Sequence, residues 1–140
     1  MPTRALLDSN VFIFGFERRG SNFHRILEKL VAGEVRGLVT DRIVREVIGY
    51  FRRHYGKDLA SEFRDLILLT CDLALEADHR IPLDLVRLVG RKDAGALAAA
   101  RASGLARIVS TDRDFDRVPE RRTPREFVQD LGENPASGDE

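Results

Sequence analysis

The sequence has few of the residues that mark secreted or membrane proteins. Of its 140 residues only one, Cys71, is a cysteine, so no internal disulfide can form. A lone cysteine in a chain with 43% hydrophobic residues is typical of a buried thiol in a reducing compartment. The longest uncharged apolar stretch, residues 11–16, is far too short to cross a bilayer, and residues 1–4 lack the apolar core of a secretory signal. These absences predict a cytoplasmic protein with no membrane contact.

A net charge of one sign is also missing. Lys plus Arg and Asp plus Glu each number 23, so the formal charge is zero, whereas proteins that rely on non-specific phosphate attraction are normally basic. Any contact with nucleic acid must therefore come from a local patch, a metal ion or a partner. The length fits one folded domain, which we predict over residues 1–132, followed by a flexible tail over 133–140.

Strand-like and helix-like segments alternate along the chain. The predicted strands are 4–7, 35–39, 71–77 and 107–110. Segments with helical periodicity separate them, and the stretch 112–122 is charged and is predicted to be a loop. The capping-box sequence Thr123-Pro124-Arg125-Glu126 begins a last helix. This alternation is typical of the α/β class, and we predict a three-layer α/β/α architecture with a central, mostly parallel sheet.

Four acidic residues lie where such a chain gathers side chains at one edge of its sheet. Asp8 ends the first strand, and Asp112 follows the last one. Asp93 opens a helix, and Glu46 lies early in the helix after the second strand. Because right-handed crossovers return each strand to the same edge, the topology can bring all four together. Each acid alone has an ordinary explanation as a helix cap, a turn residue or an exposed helix residue.

A cluster of carboxylates predicts a divalent metal ion. Like charges at close range repel and raise one another's pKa, and the pattern shows no basic residue among the four acids. Hard oxygen ligands suit Mg²⁺ or Mn²⁺. We predict Asp8 and Asp93 as the central ligands, Asp112 as a third, and Glu46 as a ligand or a base that orients water. Asp114 is close enough to Asp112 to supply a further ligand or a water contact.

Four short motifs contain these acids. They are Leu7-Asp8-Ser9-Asn10-Val11, Arg45-Glu46-Val47, Lys92-Asp93-Ala94 and Ser110-Thr111-Asp112-Arg113-Asp114-Phe115. In this order and at these separations they resemble the PIN-domain family of metal-dependent ribonucleases, over roughly residues 4–131. The resemblance implies a parallel sheet between helices, with Mg²⁺ or Mn²⁺ held by the same four acids. It also implies that Asn10 and Ser110 help to hold the site or its water, with Asp114 beside them.

The resemblance also carries expectations about substrate and partners. Many members of this size look like VapC toxins of type II toxin–antitoxin pairs, which cut RNA, commonly dimerise and are inhibited by a small antitoxin. Basic residues near the predicted edge could contact the RNA backbone, namely Arg18, Arg19, Arg91, Lys92 and Arg113. The apolar run at 11–16 exceeds what one helix face needs, so we expect its surplus to join the next helix in a partner surface.

Other functions are weighed against this one. A haloacid-dehalogenase-type phosphatase needs Asp-x-Asp after its first strand, but Asn10 stands at the third position. A receiver domain needs a paired acidic patch and a late lysine, and the sequence has neither. Two alternatives stay open: a PIN-like RNA-processing nuclease without an antitoxin, and a non-catalytic RNA-binding or assembly module.

Overall fold

A five-stranded parallel sheet forms the centre of the protein, for which a computed structural model describes residues 1–138. The strands are β1 (Thr3–Leu7), β2 (Val35–Thr40), β3 (Cys71–Ala74), β4 (Ile108–Val109) and β5 (Arg121–Arg122). Their order across the sheet is β3-β2-β1-β4-β5, and every pairing is parallel. The chain first moves outward from β1 to β3 and then crosses to the other side of β1. The strand order therefore reverses between β1 and β4, which is where sheets of this kind bind ligands.

Helices cover both faces of this sheet. Within residues 1–138 they are α1 (Ser9–Glu17), α2 (Asn22–Val31), α3 (Asp41–Tyr55), α4 (Lys57–Thr70), α5 (Leu83–Val89), α6 (Arg91–Ala102) and α7 (Pro124–Asp130). Helices α1 to α4 and α7 contact one another, while α5 packs on α6, which crosses β1 and β2. Right-handed crossovers place these two groups on opposite faces. The predicted three-layer α/β/α architecture is confirmed. In this part of the chain no helix combines the length and the apolarity that a membrane span requires.

The apolar run at 11–16 is largely core. Val11 and Phe12 are fully buried, and Ile13 is nearly so. Phe16 is partly exposed but packs edge to face on Phe51 and Phe63, with ring centroids 5.5 and 5.6 Å apart. The run therefore owes its apolar character mainly to the core, because α1 packs against both α2 and α3, and it leaves little of the predicted surplus for a partner.

Two segments differ from the sequence prediction. The strand predicted at 71–77 ends at Ala74, and residues 76–78 form a 3₁₀ turn. The backbone N–H of Glu76 donates to Asp41 Oδ1 at 2.9 Å, which draws the chain away from the sheet and onto the start of α3. The stretch 112–122 is not all loop, since its last two residues form β5 and the Ser110 N–H donates to the Arg122 carbonyl. Two arginines on an edge strand carry no apolar signal, so the sequence pattern could not show this strand.

The segment after α7 lies against α2. The fully buried side chain of Asn22 donates from Nδ2 to the Ala136 carbonyl at 3.2 Å and accepts from the Ala136 N–H at 2.8 Å. Lys29 Nζ lies 2.6 Å from Glu133 Oε2. The division into a domain at 1–132 and a flexible tail at 133–140 stays a prediction, and residues 139–140 of that tail lie outside the described residues.

Candidate metal centre

Two neighbouring parallel strands bring Asp8 next to Ser110. Leu7 pairs with Val109 in the register of β1 and β4, so the residues that follow them leave the sheet side by side. Ser110 Oγ donates to Asp8 Oδ2 at 2.7 Å, and both side chains are buried. The other oxygen, Asp8 Oδ1, accepts from the Ser9 N–H at 2.8 Å and caps α1. One carboxylate thus caps a helix and lies at the point where the strand order reverses.

The turn that follows β4 is held by the same serine. Ser110 Oγ accepts from the Asp112 N–H at 3.0 Å, and Asp112 Oδ1 accepts from the Asp114 N–H at 2.9 Å. Side chains of Ser and Asp commonly stabilise turns in this way. The result is a fixed turn that presents the carboxylates of Asp112 and Asp114 on the same side as Asp8.

Asp93 reaches this turn from α6. The helix begins at Arg91, so Asp93 lies in its first turn and is not the capping residue. It is 1% exposed, and oxygens of the Asp93, Asp112 and Asp114 carboxylates all lie within 4.8 Å of one another. Burial, the hydrogen bond with Asp114 and the charges of Asp112 and Asp8 together raise the pKa of Asp93 to about 7.

Glu46 approaches the cluster from α3. Thr40 ends β2 and caps this helix by accepting from the Ile43 N–H at 3.3 Å, which places Glu46 in the second turn. Glu46 lines one pocket together with Asp8, Asn10 and Asp112. The structure therefore brings the four predicted acids to one edge of the sheet.

The expectation that no basic residue stands among the acids is wrong. Arg42 lies one helical turn before Glu46, and its Nη1 donates to the Glu46 carboxylate. Its Nη2 lies 3.5 Å from Asp93 Oδ1, and its Nε lies 3.4 Å from Oε2 of Glu76, a further acid that sequence analysis missed. Arg42 could have been found from its i, i+4 spacing to Glu46. Glu76 could not, because its position depends on the long-range contact of its backbone with Asp41.

The predicted RNA-binding residues occupy different places. Lys92 lines the pocket, and its Nζ lies 4.0 Å from Glu46 Oε2. Arg91 and Arg113 are exposed and lie close in sequence to Asp93 and Asp112. Arg18 and Arg19 follow α1, which carries the chain roughly 14 Å away from its start at 1.5 Å per residue. Arg18 lies over the Phe14 ring, 3.8 Å from its centroid.

The helix α3 supplies most of the remaining pocket wall. Besides Glu46, its pocket-lining residues are Arg42, Arg45, Tyr50 and Arg53. Positions 42, 46, 50 and 53 repeat at helical spacing and form one face of the helix. These basic residues are not among those predicted from the sequence, although the helical spacing of Arg42 and Arg53 from Glu46 was a signal that could have shown them. The pocket thus has an acidic floor and a partly basic wall.

The residues of the cluster fit a divalent metal ion. Carboxylate oxygens from four side chains are hard donors of the kind that Mg²⁺ and Mn²⁺ prefer. Asp93 Oδ2 is buried and accepts no hydrogen bond from any residue in the described part of the chain. Burial first, and then the hydrogen bond with Asp114 and the charges of Asp112 and Asp8, raise the pKa of Asp93 against the opposing charge of Arg42. A bound cation would stabilise the charged carboxylate at this buried position.

Comparisons with known proteins agree with this geometry. The family model described as PIN domain matches residues 5–121, a range that contains all four predicted acids. A sequence comparison with curated proteins finds no match. Among solved structures, a toxin–antitoxin complex from Klebsiella pneumoniae superposes with a TM-score of 0.60 at 21% identity, covering 87% of this chain and 98% of that one.

Two further structures are similar. VapBC2 from Rickettsia felis, bound to a DNA fragment from its promoter, gives a TM-score of 0.59 at 15% identity and covers 84% of this chain and 95% of that one. VapC20 from Mycobacterium tuberculosis, a toxin that cleaves the Sarcin-Ricin loop, gives 0.54 at 15% identity, with 81% and 93% covered. At these identities the three structures show that the fold is shared.

Proposed function

The chain belongs to the PIN domain family of nucleases, and from this premise we propose that it is a metal-dependent endoribonuclease that hydrolyses RNA phosphodiester bonds. The observation that carries the proposal is the convergence of the Asp93, Asp112 and Asp114 carboxylates within 4.8 Å. They lie beside Asp8, where the strand order reverses. A non-catalytic binding module has no need of a buried carboxylate such as Asp93, one oxygen of which has no hydrogen-bond partner among the described residues.

Each acid has a proposed role. Asp8, Asp93 and Asp112 would hold Mg²⁺ or Mn²⁺, while Ser110 fixes Asp8 and the turn that carries Asp112. Asp114 is exposed, and its carboxylate would supply a further metal ligand or contact a water molecule. A bound divalent ion lowers the pKa of its water and stabilises the negative charge that develops on the phosphate.

Hydrolysis breaks the bond between phosphorus and the leaving sugar oxygen while a water oxygen forms the new bond to phosphorus. Glu46 lines the same pocket as Asp8 and Asp112, so we assign it the task of orienting that water and accepting its proton. Arg45 and Lys92 line the wall of the same pocket and would contact phosphates of the RNA backbone. Because the chain has no net charge, these basic residues of the pocket would supply the electrostatic attraction for RNA that the molecule as a whole lacks.

The substrate test compares nucleic acids of one sequence. Labelled single-stranded and hairpin RNAs, and DNA oligonucleotides of matching sequence, are incubated with the protein and Mn²⁺. We expect cleavage of RNA at internal positions and none of DNA. Cleavage of DNA but not RNA would contradict the RNA specificity while leaving the metal site intact.

We also propose that the protein is the toxin of a type II toxin–antitoxin pair, because two of the similar structures are toxin–antitoxin complexes. The surface that suits an antitoxin is an apolar groove between α2 and α4. There Val31 is 69% exposed and Leu69 is 77% exposed, beside the less exposed Leu66. Exposed apolar side chains that adjoin one another mark binding surfaces, and an apolar antitoxin segment would cover these.

The antitoxin proposal is tested with the product of the neighbouring gene. Co-expression with that product should give a stable complex in which RNA cleavage is inhibited. Leu69→Asp should prevent the complex, whereas Leu83→Asp, at a residue of similar exposure on α5, should not. A chain that shows no affinity for its neighbour's product would favour an RNA-processing nuclease without an antitoxin. If the groove instead joined two copies of this chain, the isolated protein would be a dimer that Leu69→Asp dissociates.

Homodimerisation and a cytoplasmic location complete the proposal. Homodimerisation rests on the family resemblance, and the cytoplasmic location rests on the single buried cysteine. The mass of the isolated protein in solution, measured by light scattering, shows whether it is a homodimer.

A further inference from the structure

The acids of the metal centre fall into two groups with Arg42 between them. On one side, the carboxylate oxygens of Asp93, Asp112 and Asp114 lie within 4.8 Å of one another. On the other side, Arg42 contacts Glu46 through Nη1 and approaches Glu76 Oε2 to 3.4 Å through Nε. Its Nη2 lies 3.5 Å from Asp93 Oδ1. Asp93 therefore belongs to both groups, and one guanidinium serves three carboxylates.

A backbone hydrogen bond fixes Glu76 in this position, and the absence of a side chain at Gly95 leaves room for its carboxylate. Its N–H donates to Asp41 Oδ1 at 2.9 Å, which fixes the 3₁₀ turn over the start of α3. Its side chain lies against α6 at Gly95, where a Cβ atom would come within 2.0 Å of Glu76 Oε1. Only glycine at position 95 leaves room for the carboxylate in this place. The arrangement is thus built into three separate elements of the fold.

The Arg42 guanidinium is paired with three carboxylates, but most of these contacts are not ideal hydrogen bonds. Arg42 Nε and Nη2, Glu76 Oε2 and Asp93 Oδ2 are all buried, and within residues 1–138 none has a hydrogen-bond partner. Strong arginine–carboxylate pairs are bidentate at about 2.7–2.9 Å, whereas two of the three contacts here are ion-pair contacts at 3.4 and 3.5 Å. Attraction between opposite charges therefore accounts for these two contacts, and hydrogen bonding does not.

We propose that Arg42, held by Glu76, takes the place of a second cation, so that the protein binds one divalent metal ion, at Asp8, Asp93 and Asp112. The inference rests on the proposed metal-dependent function and adds the number of ions and the residue that sets it. A fixed positive charge within 4 Å of Glu46, Glu76 and Asp93 repels a second divalent ion from those ligands. In nucleases with two metal ions, both ions stabilise the negative charge that develops during the reaction. Here Arg42 would provide the stabilisation that a second ion gives in those enzymes.

The test counts Mn²⁺ ions bound to the full chain after its metal has been removed with EDTA and dialysis. Calorimetry and the electron paramagnetic resonance signal of free Mn²⁺ give the stoichiometry independently of activity. The wild type should bind one ion. Arg42→Gln should bind a second ion at least about tenfold more weakly than the first, and Arg42→Gln with Glu76→Gln should lose that second site. Arg42→Lys keeps the charge and should bind one ion.

A matched control separates this effect from general electrostatics. Arg45→Gln removes a positive charge from the same pocket wall, at a residue paired with Asp41, and should leave the stoichiometry at one. Two ions on the wild type, or one ion on every variant, would overturn the proposal. No Mn²⁺ on the folded wild type would instead refute the metal-dependent function itself. If Arg42→Gln does not fold by circular dichroism, Arg42→Met retains the packing of the stem and is judged by the same criterion.

Discussion

Ser110 donates a 2.7 Å hydrogen bond to Asp8 although the two residues lie 102 positions apart in the sequence. The same hydroxyl accepts from the Asp112 N–H, so it links the carboxyl ends of β1 and β4 to the turn that carries Asp112. Both partners of this hydroxyl belong to the proposed metal centre. Ser110 therefore fixes the distance between two acids that come from distant parts of the chain.

Replacing Ser110 with Ala should weaken both the fold and the metal centre. The serine is fully buried, and its loss leaves a buried carboxylate oxygen without a donor, which costs about 1–3 kcal/mol in the free energy of unfolding. Loss of a group that orients metal ligands weakens metal binding by about 10–100-fold. Urea unfolding and Mn²⁺ calorimetry measure the two effects. Ser61→Ala, on the exposed side of α4, should change neither. Unchanged Mn²⁺ affinity in Ser110→Ala would show that the link is structural only.

The stability of the metal-free protein should fall as pH rises from about 4 to about 7. The pKa of Asp93 is about 7 in the folded protein, against 3.8 for an ordinary aspartate, so in this interval the folded state binds a proton that the unfolded state has released. The contribution of Asp93 is most favourable at low pH and is lost through pH 7. Asp93→Asn should remove this slope, and Asp65→Asn, at an exposed residue, should retain it.

Thermal unfolding across this pH range, in EDTA and in Mn²⁺, provides the measurement. Metal binding requires the deprotonated carboxylate, so Mn²⁺ affinity should rise with pH and level off above about pH 7. A wild type and an Asp93→Asn variant with the same pH dependence in EDTA would show that Asp93 does not titrate in this interval.

Two glycines should respond to alanine in opposite directions. At Gly37 in β2, a Cβ atom would lie 2.6 Å from Cys71 Sγ and 3.0 Å from Leu7 Cδ1, both inside the core, so Gly37→Ala should destabilise the fold by about 1–3 kcal/mol. At Gly49 in α3, the nearest atom is the flexible end of Arg53 at 3.3 Å, so Gly49→Ala should stabilise it by about 0.5–1 kcal/mol. Chemical denaturation gives both values, and a stabilising Gly37→Ala would contradict the packing of β2 on β3.

The chain after residue 132 should contribute to stability. Truncation there removes both hydrogen-bond partners of the buried Asn22 amide, and unsatisfied buried groups of this kind cost about 1–3 kcal/mol each. Asn22→Ala should lose a similar amount, and truncation should then cost the Asn22→Ala variant much less than it costs the wild type. This double-mutant cycle isolates the contact. Equal stability of the truncated and complete chains would support the predicted flexible tail instead.

The sheet and its acidic edge could be predicted because short apolar segments mark where each strand ends. Asp8 and Asp112 directly follow such segments, and parallel pairing of β1 with β4 then sets them side by side. The wide separation of Asp93 from Asp8 in the sequence did not matter, because Ala-rich α6 begins at the same edge.

Other features could not be predicted because they depend on contacts between distant segments. Arg121 and Arg122 form a strand only because β4 offers them hydrogen bonds. Glu76 reaches Arg42 only because Asp41 fixes its backbone and Gly95 leaves space for its carboxylate. The local sequence pattern contains neither contact, so the site predicted from the sequence was acidic and lacked Arg42.

Cleavage of labelled RNA by the wild type, Asp93→Asn and the control Asp65→Asn in Mg²⁺, Mn²⁺ and EDTA decides whether the acidic site is a metal-dependent ribonuclease centre. We expect the wild type and Asp65→Asn to cut RNA with either ion and to stop in EDTA, and Asp93→Asn to lose at least about a hundredfold in rate while remaining folded. Undiminished cleavage in EDTA, or an Asp93→Asn variant as active as the wild type, would contradict this expectation.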